Sequence, residues 1–440
     1  MVLTPVLTHW NPEDPGFWRS QGERVAARNL WLSIAALTLA FAVWMMWSVV
    51  VVHLPSAGFR YSTNQLFWLA ALPALSGATL RFFYAFAVPV FGGRRWTALS
   101  TASLLLPALG VGLAVQDPTT PFEVMVLLSL LCGLGGGNFA SSMAHVSFFY
   151  PKSRLGTALG LNAGLGNLGV SIAQLVVPLV IGAGLFGVLG GAPQAPADGP
   201  PLWLQNAGFV WVPFIVAGSL AAWFGMNDIA EARGSFAEQA VIFRRKHNWL
   251  MCWLYTGTFG SFIGLAAGFP LLAMSQFPDA HVMLGAWLGP LVGALARPLG
   301  GWLADRIGGA RVTLWTFVAM TLGVVALLAA VPNGIGAGQG RLPLFLAGFA
   351  LLFVAAGIGN GSSYRMIAVI FTSPKEAAAV LGFASAVAAY GGFFIPKALG
   401  TSISMTGAPN AALALFLAFY LSCLAITWWH YSRRFAATPC

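Results

Sequence analysis

Two arginines stand where an arginine is costly. In Ser76–Arg95, SGATLRFFYAFAVPVFGGRR, Arg81 lies inside an apolar run from about residue 64 to 91. Eleven residues later the chain reaches Gly92-Gly93, then Arg94 and Arg95. Gly293–Arg311, GALARPLGGWLADRIGGAR, repeats the pattern: Arg297 is embedded, and eleven residues on come Gly308-Gly309 and Arg311. Eleven helical residues rise about 16 Å, roughly half the hydrocarbon thickness of a bilayer. An arginine at that depth costs at least about 2.5–3.5 kcal/mol and so marks a function or a partner. A carboxylate partner fails on inventory. All twelve acids (Glu13, Asp14, Glu23, Asp117, Glu123, Asp198, Asp228, Glu231, Glu238, Asp279, Asp305 and Glu376) fall in loops, termini or span ends. Two buried cations then await a mobile anion, with carbonyl-paired structural arginines as the other reading. A guanidinium is a planar fork, always charged, that matches planar oxyanions through paired hydrogen bonds.

The elements that carry these arginines are membrane spans. Of 440 residues, 58% are hydrophobic and 8% charged, against about 25% charged in an ordinary soluble domain. Apolar runs long enough to span occur near residues 30–54, 64–91, 97–115, 122–150, 155–184 and 205–226, and again near 248–275, 281–305, 310–331, 343–371, 376–402 and 409–430. The fold class is an all-α membrane protein of twelve spans in two six-helix halves. Residues 1–226 form the first half, 227–247 a charged linker, and 248–440 the second. The polar, proline-containing start lacks the apolar core of a signal peptide. The net charge of +10 is scattered over short loops, so nucleic acid is not a partner. Sixteen of the 22 Lys and Arg fall in the termini and even-to-odd loops, which by the positive-inside rule puts both termini in the cytoplasm. Cys132, Cys252, Cys423 and Cys440 stand alone, with neither disulfide nor metal spacing.

The halves echo one another beyond helix count. Gly137-Asn138 with Phe149, Pro151 and Lys152 returns as Gly359-Asn360 with Phe371, Pro374 and Lys375. Each is followed by a helix rich in small residues, Leu155–Val170 and Val380–Phe393. In the first, Gly156, Gly160 and Gly164 have the spacing of close helix packing, and the run also suits a helix that flexes between states. Parallel repeats of six spans are the plan of major-facilitator transporters. The block Gly301–Arg311 resembles that superfamily's loop motif, in which Asp305 and Arg306 would hold a cytoplasmic gate.

Further stretches carry a narrower resemblance. GGGNFASSM (Gly135–Met143), GLNAGLGNLGV (Gly160–Val170) and TFGSFIG (Thr258–Gly264) resemble the signature stretches of NarK-type nitrate/nitrite porters. PEDPGFW (Pro12–Trp18), LRFFYAFAVPVFGGRRW and GGFFIPK (Gly391–Lys397) are similar too. The resemblance covers essentially the whole chain. It implies that Arg81 and Arg297 clamp nitrate or nitrite, that Asn167, Tyr255 and Ser385 donate hydrogen bonds, and that Phe139, Phe259, Phe41 and Tyr364 wall a planar anion. Gly164, Gly166 and Gly382 would serve the conformational change. The chain departs from the pattern at Ala163, where some members carry glycine, and at Arg365, where some carry glutamine. Arg365 would either add a stepping site or reach the membrane face or a carbonyl. His145 would be a packed neutral histidine or, less readily, a proton carrier, and Lys397 would snorkel outward.

No buried acid is available to carry a coupled proton, which favours exchange over symport. The expected function is import of nitrate in exchange for nitrite by alternating access. The alternatives are proton-coupled nitrate symport and nitrite export. Phosphate exchange fits a flat aromatic slot poorly, a passive channel would ignore substrate on the opposite side, and a receptor would carry an output domain. No nucleophile–base pair, metal cluster or nucleotide loop appears, so an enzyme and a bound cofactor are not expected. The expected partners are nitrate, nitrite and the lipid bilayer. The expected form is a monomer in the bacterial inner membrane.

Overall fold

The computed structural model describes residues 5–194, 200–230, 240–278, 285–331, 341–436, 438 and 440. The linker residues Glu231, Arg233 and Glu238, the loop acid Asp198, and Asp279 lie outside these described residues.

Long apolar helices dominate: α1 (Pro15–His53), α2 (Thr63–Phe91), α3 (Gly93–Ala114), α4 (Phe122–Phe149), α5 (Lys152–Val180) and α6 (Asn206–Gly225). They continue as α7 (Lys246–Gln276), α8 (Leu288–Ile307), α9 (Gly309–Ala330), α10 (Leu342–Ile370), α11 (Ala379–Thr406) and α12 (Asn410–Ser432). Among the described residues, eleven are long and apolar enough to cross a membrane by length and composition. The twelfth, α8, carries Arg297, Asp305 and Arg306 within its 20 residues, and these charges set it apart. All twelve expected spans are therefore present as helices.

Contacts divide the chain into two units, each described by itself. Unit 1 gathers α1 up to Met46, α2 from Ser76, and α3 to α6. Unit 2 gathers α7 to α12 with Trp47–Pro55 and Phe59–Leu75, the end of α1 and the start of α2.

In unit 1, α2 and α4 meet through glycine. A Cβ on Gly77 would lie 3.1 Å from the Gly136 Cα and 2.9 Å from Trp44 Nε1, and one on Gly136 would lie 2.6 Å from the Trp44 ring. Only bare backbone fits, and the close approach brings the α4 carbonyls within reach of α2 side chains. In unit 2, a Cβ on Gly357 of α10 would lie 2.1 Å from the Gly293 carbonyl oxygen of α8. Gly77 and Gly293 each precede the buried arginine by one helical turn.

The turns after the two arginine helices also match. Gly92 has φ +85° and Gly308 φ +97°, a left-handed backbone that side-chain-bearing residues avoid. At Gly92 the space is also filled, because a Cβ would sit 2.5 Å from Asp228 Oδ1. Asp228, just past α6, accepts from the Arg94 backbone N at 2.8 Å and pairs with Arg94 Nε at 3.4 Å. The same segment forms β2 (Asp228–Ile229), which pairs in parallel with β1 (Val6–Leu7). Trp10 Nε1 donates to the Phe148 carbonyl at 3.1 Å, and the Lys152 backbone N donates to Glu13 at 3.0 Å. The N-terminal segment is thus fastened across the ends of α4, α5 and α6.

The glycine-rich α5 packs differently from its sequence spacing. A Cβ on Gly156, Gly160 or Gly164 would meet nothing within 4 Å. Gly166 and Gly169 face α1 instead, where a Cβ would lie 2.6 Å from Leu37 and 2.0 Å from the Thr38 carbonyl oxygen. The small-residue spacing therefore marks an open face, and the packed face lies about two residues, or half a turn, away. Gly382 on α11 is equally open.

Candidate functional site

Each unit buries one arginine against aromatic rings. In unit 1, Arg81 is 1% exposed. Its Nε donates to the Gly136 carbonyl at 3.0 Å, the contact that the Gly77–Gly136 approach makes possible. Its guanidinium carbon lies 4.7 Å from the Phe139 ring centroid and 5.4 Å from that of Trp44. Phe139 and Phe41 stack at 6.1 Å with 14° between planes. The carbonyl-paired reading of the sequence thus holds for one edge of this fork. Trp44 was missed by the sequence reading, although it lies three residues after Phe41 and so near its helical face.

Asn167 lies on α5 of the same unit. It is 1% exposed, and neither its Oδ1 nor its Nδ2 has a hydrogen-bond partner among the described residues. A buried amide with both ends unmet is unstable in a bare core and marks a place for a polar guest.

In unit 2, Arg297 is 5% exposed and its Nη2 donates to the Tyr255 hydroxyl at 3.2 Å. Its guanidinium carbon lies 4.6 Å from the Tyr364 ring centroid. Tyr255 stacks on Phe259 at 5.4 Å and 11°, and tilts against Tyr364 at 5.6 Å. Nη1 of Arg297 is buried with no hydrogen-bond partner among the described residues. One turn of π-helix, Thr256–Gly260, follows Tyr255 and carries Phe259. Such turns recur at functional sites because they rotate the side chains that follow them.

Among the described residues, four of the acids pair with other cations. Asp228 pairs with Arg94, Glu23 with Arg154, Glu376 with Arg245 at 2.9 Å, and Asp305 with Arg365 at 2.7 Å. Arg365 follows Tyr364 on α10 but points to the end of α8 rather than toward the Arg297 site. Arg306 lies over its neighbour Trp302, 4.0 Å from the ring centroid. Among the described residues there is no cluster of metal ligands.

The remaining expected residues sort as follows. Ser385 on α11 donates to the Gly382 carbonyl of its own helix at 2.8 Å. His145 is buried against Phe149 at 4.8 Å and presses on Gly93, where a Cβ would lie 1.7 Å from its Nδ1. It is a packing residue of the α2–α3 turn. Lys397 donates to Asn64 at 3.0 Å and lies 4.5 Å from the Trp68 ring centroid, both within unit 2.

A family model of the Major Facilitator Superfamily matches residues 32–396. The chain belongs to this superfamily. Within the major facilitators it is 51% identical, over 98% of its length and 96% of the relative's, to the "Nitrate/nitrite transporter NarU" of Salmonella typhimurium. It is 49% identical to the Escherichia coli protein of the same name, over 98% of its length and 96% of the relative's. It is 43% identical, over 99% of its length and 98% of the relative's, to the "Probable nitrate/nitrite antiporter NarK2" of Thermus thermophilus. The chain is thus one of the NarK-type porters of the superfamily, not an enzyme. Among solved structures, a bacterial homologue of the human lysosomal transporter Spinster, inward-facing and occupied, gives a TM-score of 0.66 at 16% identity. That likeness covers 90% of this chain and 95% of the other, and establishes the major-facilitator fold.

Proposed function

We propose that this porter carries nitrate and nitrite, importing nitrate in exchange for nitrite. The relatives' names support the substrates, and the arginine sites support the chemistry. The observation that carries the reading is Arg297: a buried guanidinium with an aromatic face, a tyrosine hydroxyl on one nitrogen, and a second nitrogen without a partner. A planar anion supplies the missing acceptor and the missing charge. Arg81, with Phe139, Phe41 and Trp44, is its counterpart, and the two arginines hold one anion between them during transport. Asn167 and Tyr255 donate hydrogen bonds to it, Ser385 does so on exchanging the Gly382 carbonyl for the anion, and Phe259 and Tyr364 wall the flat anion and keep it dry.

Residues 1–226 and 248–440, joined by the linker 227–247, rock about the anion, and both termini face the cytoplasm of a bacterium. An empty carrier keeps two like charges facing each other, and binding an anion relieves their repulsion, so reorientation follows loading. The open glycine faces at Gly164 and Gly382, and packed Gly166, serve that movement, while Asp305 and Arg306 serve the cytoplasmic gate. The porter works as a monomer in the inner membrane. Packing of His145 under Gly93 weighs against a proton-carrying role and for exchange.

Substrate competition tests the reading. Nitrate uptake by purified protein in liposomes is expected to be blocked by nitrite and left intact by phosphate and sulfate. Inhibition by phosphate equal to that by nitrite would overturn the planar-anion assignment.

A further inference from the structure

One residue before Phe139, Asn138 turns to different neighbours. It borders a cavity among α1, α3 and α4 whose polar lining is Ser33, Thr97, Ser100, Asn138, Ser141 and Ser142. The centre of a water-sized sphere has about 10 Å³ in it, the room that one water needs. Asn138 is 5% and Ser33 1% exposed, and Asn138 Oδ1 and Ser33 Oγ have no hydrogen-bond partner among the described residues.

Three of the other hydroxyls, those of Ser100, Ser141 and Ser142, have spent their protons. Ser100 donates to the Thr97 carbonyl at 3.4 Å and Ser141 to the Asn138 carbonyl at 3.2 Å. Ser142 exchanges hydrogen bonds with Asn162, donating at 3.3 Å and accepting from Nδ2 at 2.9 Å. What these three keep free is lone pairs, while the Ser33 hydroxyl is free to donate, so the lining suits a small guest that both donates and accepts. No carboxylate lines it, and Arg81 holds the carbonyl of Gly136 two residues away, so a metal cation would enter against a nearby positive charge.

We propose that this cavity is a site for one ordered water. The water donates to Asn138 Oδ1 and to one serine oxygen, and accepts from Ser33 Oγ. It links α1 to α4 immediately beside Phe139, the ring that faces Arg81, and so belongs to the framework of the anion site rather than to the anion's path. The matching asparagine of unit 2, Asn360, repeats the condition: it is 1% exposed, and its Oδ1 is also without a partner among the described residues.

The test is a structure of the full chain at better than about 2 Å, in sodium chloride and in choline chloride, together with nitrate transport in the same two salts. One peak within hydrogen-bond distance of both Asn138 Oδ1 and Ser33 Oγ, about 2.7–3.1 Å, is expected in both salts, with equal transport rates. Asn138→Leu should remove the peak, and Ser33→Ala, a milder change, should lengthen or lose its Ser33 contact. An empty cavity, an Asn138 amide rotated onto a protein group, or a peak and a transport rate that require sodium would each overturn the proposal.

Discussion

Replacing Arg297 by lysine keeps the charge and removes the fork. The lysine ammonium is a compact point charge that cannot cover the Tyr364 ring as a flat guanidinium does. It also cannot reach the Tyr255 hydroxyl and two anion oxygens in one plane. At least one charge-assisted hydrogen bond to the anion is lost, worth about 1.5–3 kcal/mol. At about 1.4 kcal/mol per factor of ten, the KM for nitrate should rise about 10- to 150-fold. The assay is exchange of labelled nitrate in proteoliposomes, over a range of outside concentrations, with protein shown to be folded by size-exclusion chromatography. Arg297→Met supplies the complementary measurement. Removing a buried charge that has no carboxylate partner among the described residues should raise the thermal midpoint while abolishing exchange, since a buried ion without a counter-charge costs stability. A lysine variant with a KM within twofold of the parent, or a methionine variant that melts earlier and still exchanges, would refute the reasoning.

Other outcomes follow from named contacts. Gly136→Ala places a methyl against Trp44 and Gly77; over-packing of this kind costs about 1–3 kcal/mol, and a lowered thermal midpoint with loss of nitrate affinity is expected. Asp228→Asn leaves the Arg94 guanidinium buried without its carboxylate, a change that costs about 3–5 kcal/mol in a protein interior, read as a lower thermal midpoint. Burial pushes the Cys440 thiol up to about 11 from 9.0. A raised thiol pKa means less thiolate below it, so at pH 8 Cys440 should alkylate about a hundredfold more slowly than an exposed cysteine, as peptide mapping after a timed maleimide pulse would show.

Much of the architecture was legible because the membrane leaves few choices. Runs of apolar residues had to be helices, since every backbone polar group in lipid must be bonded within its own segment. The burial of Arg81 and Arg297 was legible from the apolar runs around them, whereas the left-handed backbone of Gly92 and Gly308 came from the structure alone. What could not be read were contacts between distant residues. Neither the reach of Arg81 to the Gly136 carbonyl nor the turn of Arg365 to Asp305 has a local signal, because each depends on how two helices cross. Glycine spacing misled for a related reason. Gly156, Gly160 and Gly164 share a helical face, but the sequence does not say whether that face is packed or open. The partner of Arg94 came from beyond α6, more than a hundred residues away, where spacing carries no information.

The most direct test of the account is nitrate uptake by purified protein in sealed liposomes, with or without internal nitrite and with or without an imposed pH gradient. Exchange between two arginines predicts uptake that requires internal nitrite or nitrate and ignores the gradient. Uptake into vesicles free of internal anion substrate, rising with the inward proton gradient, would contradict it and make proton symport the mechanism.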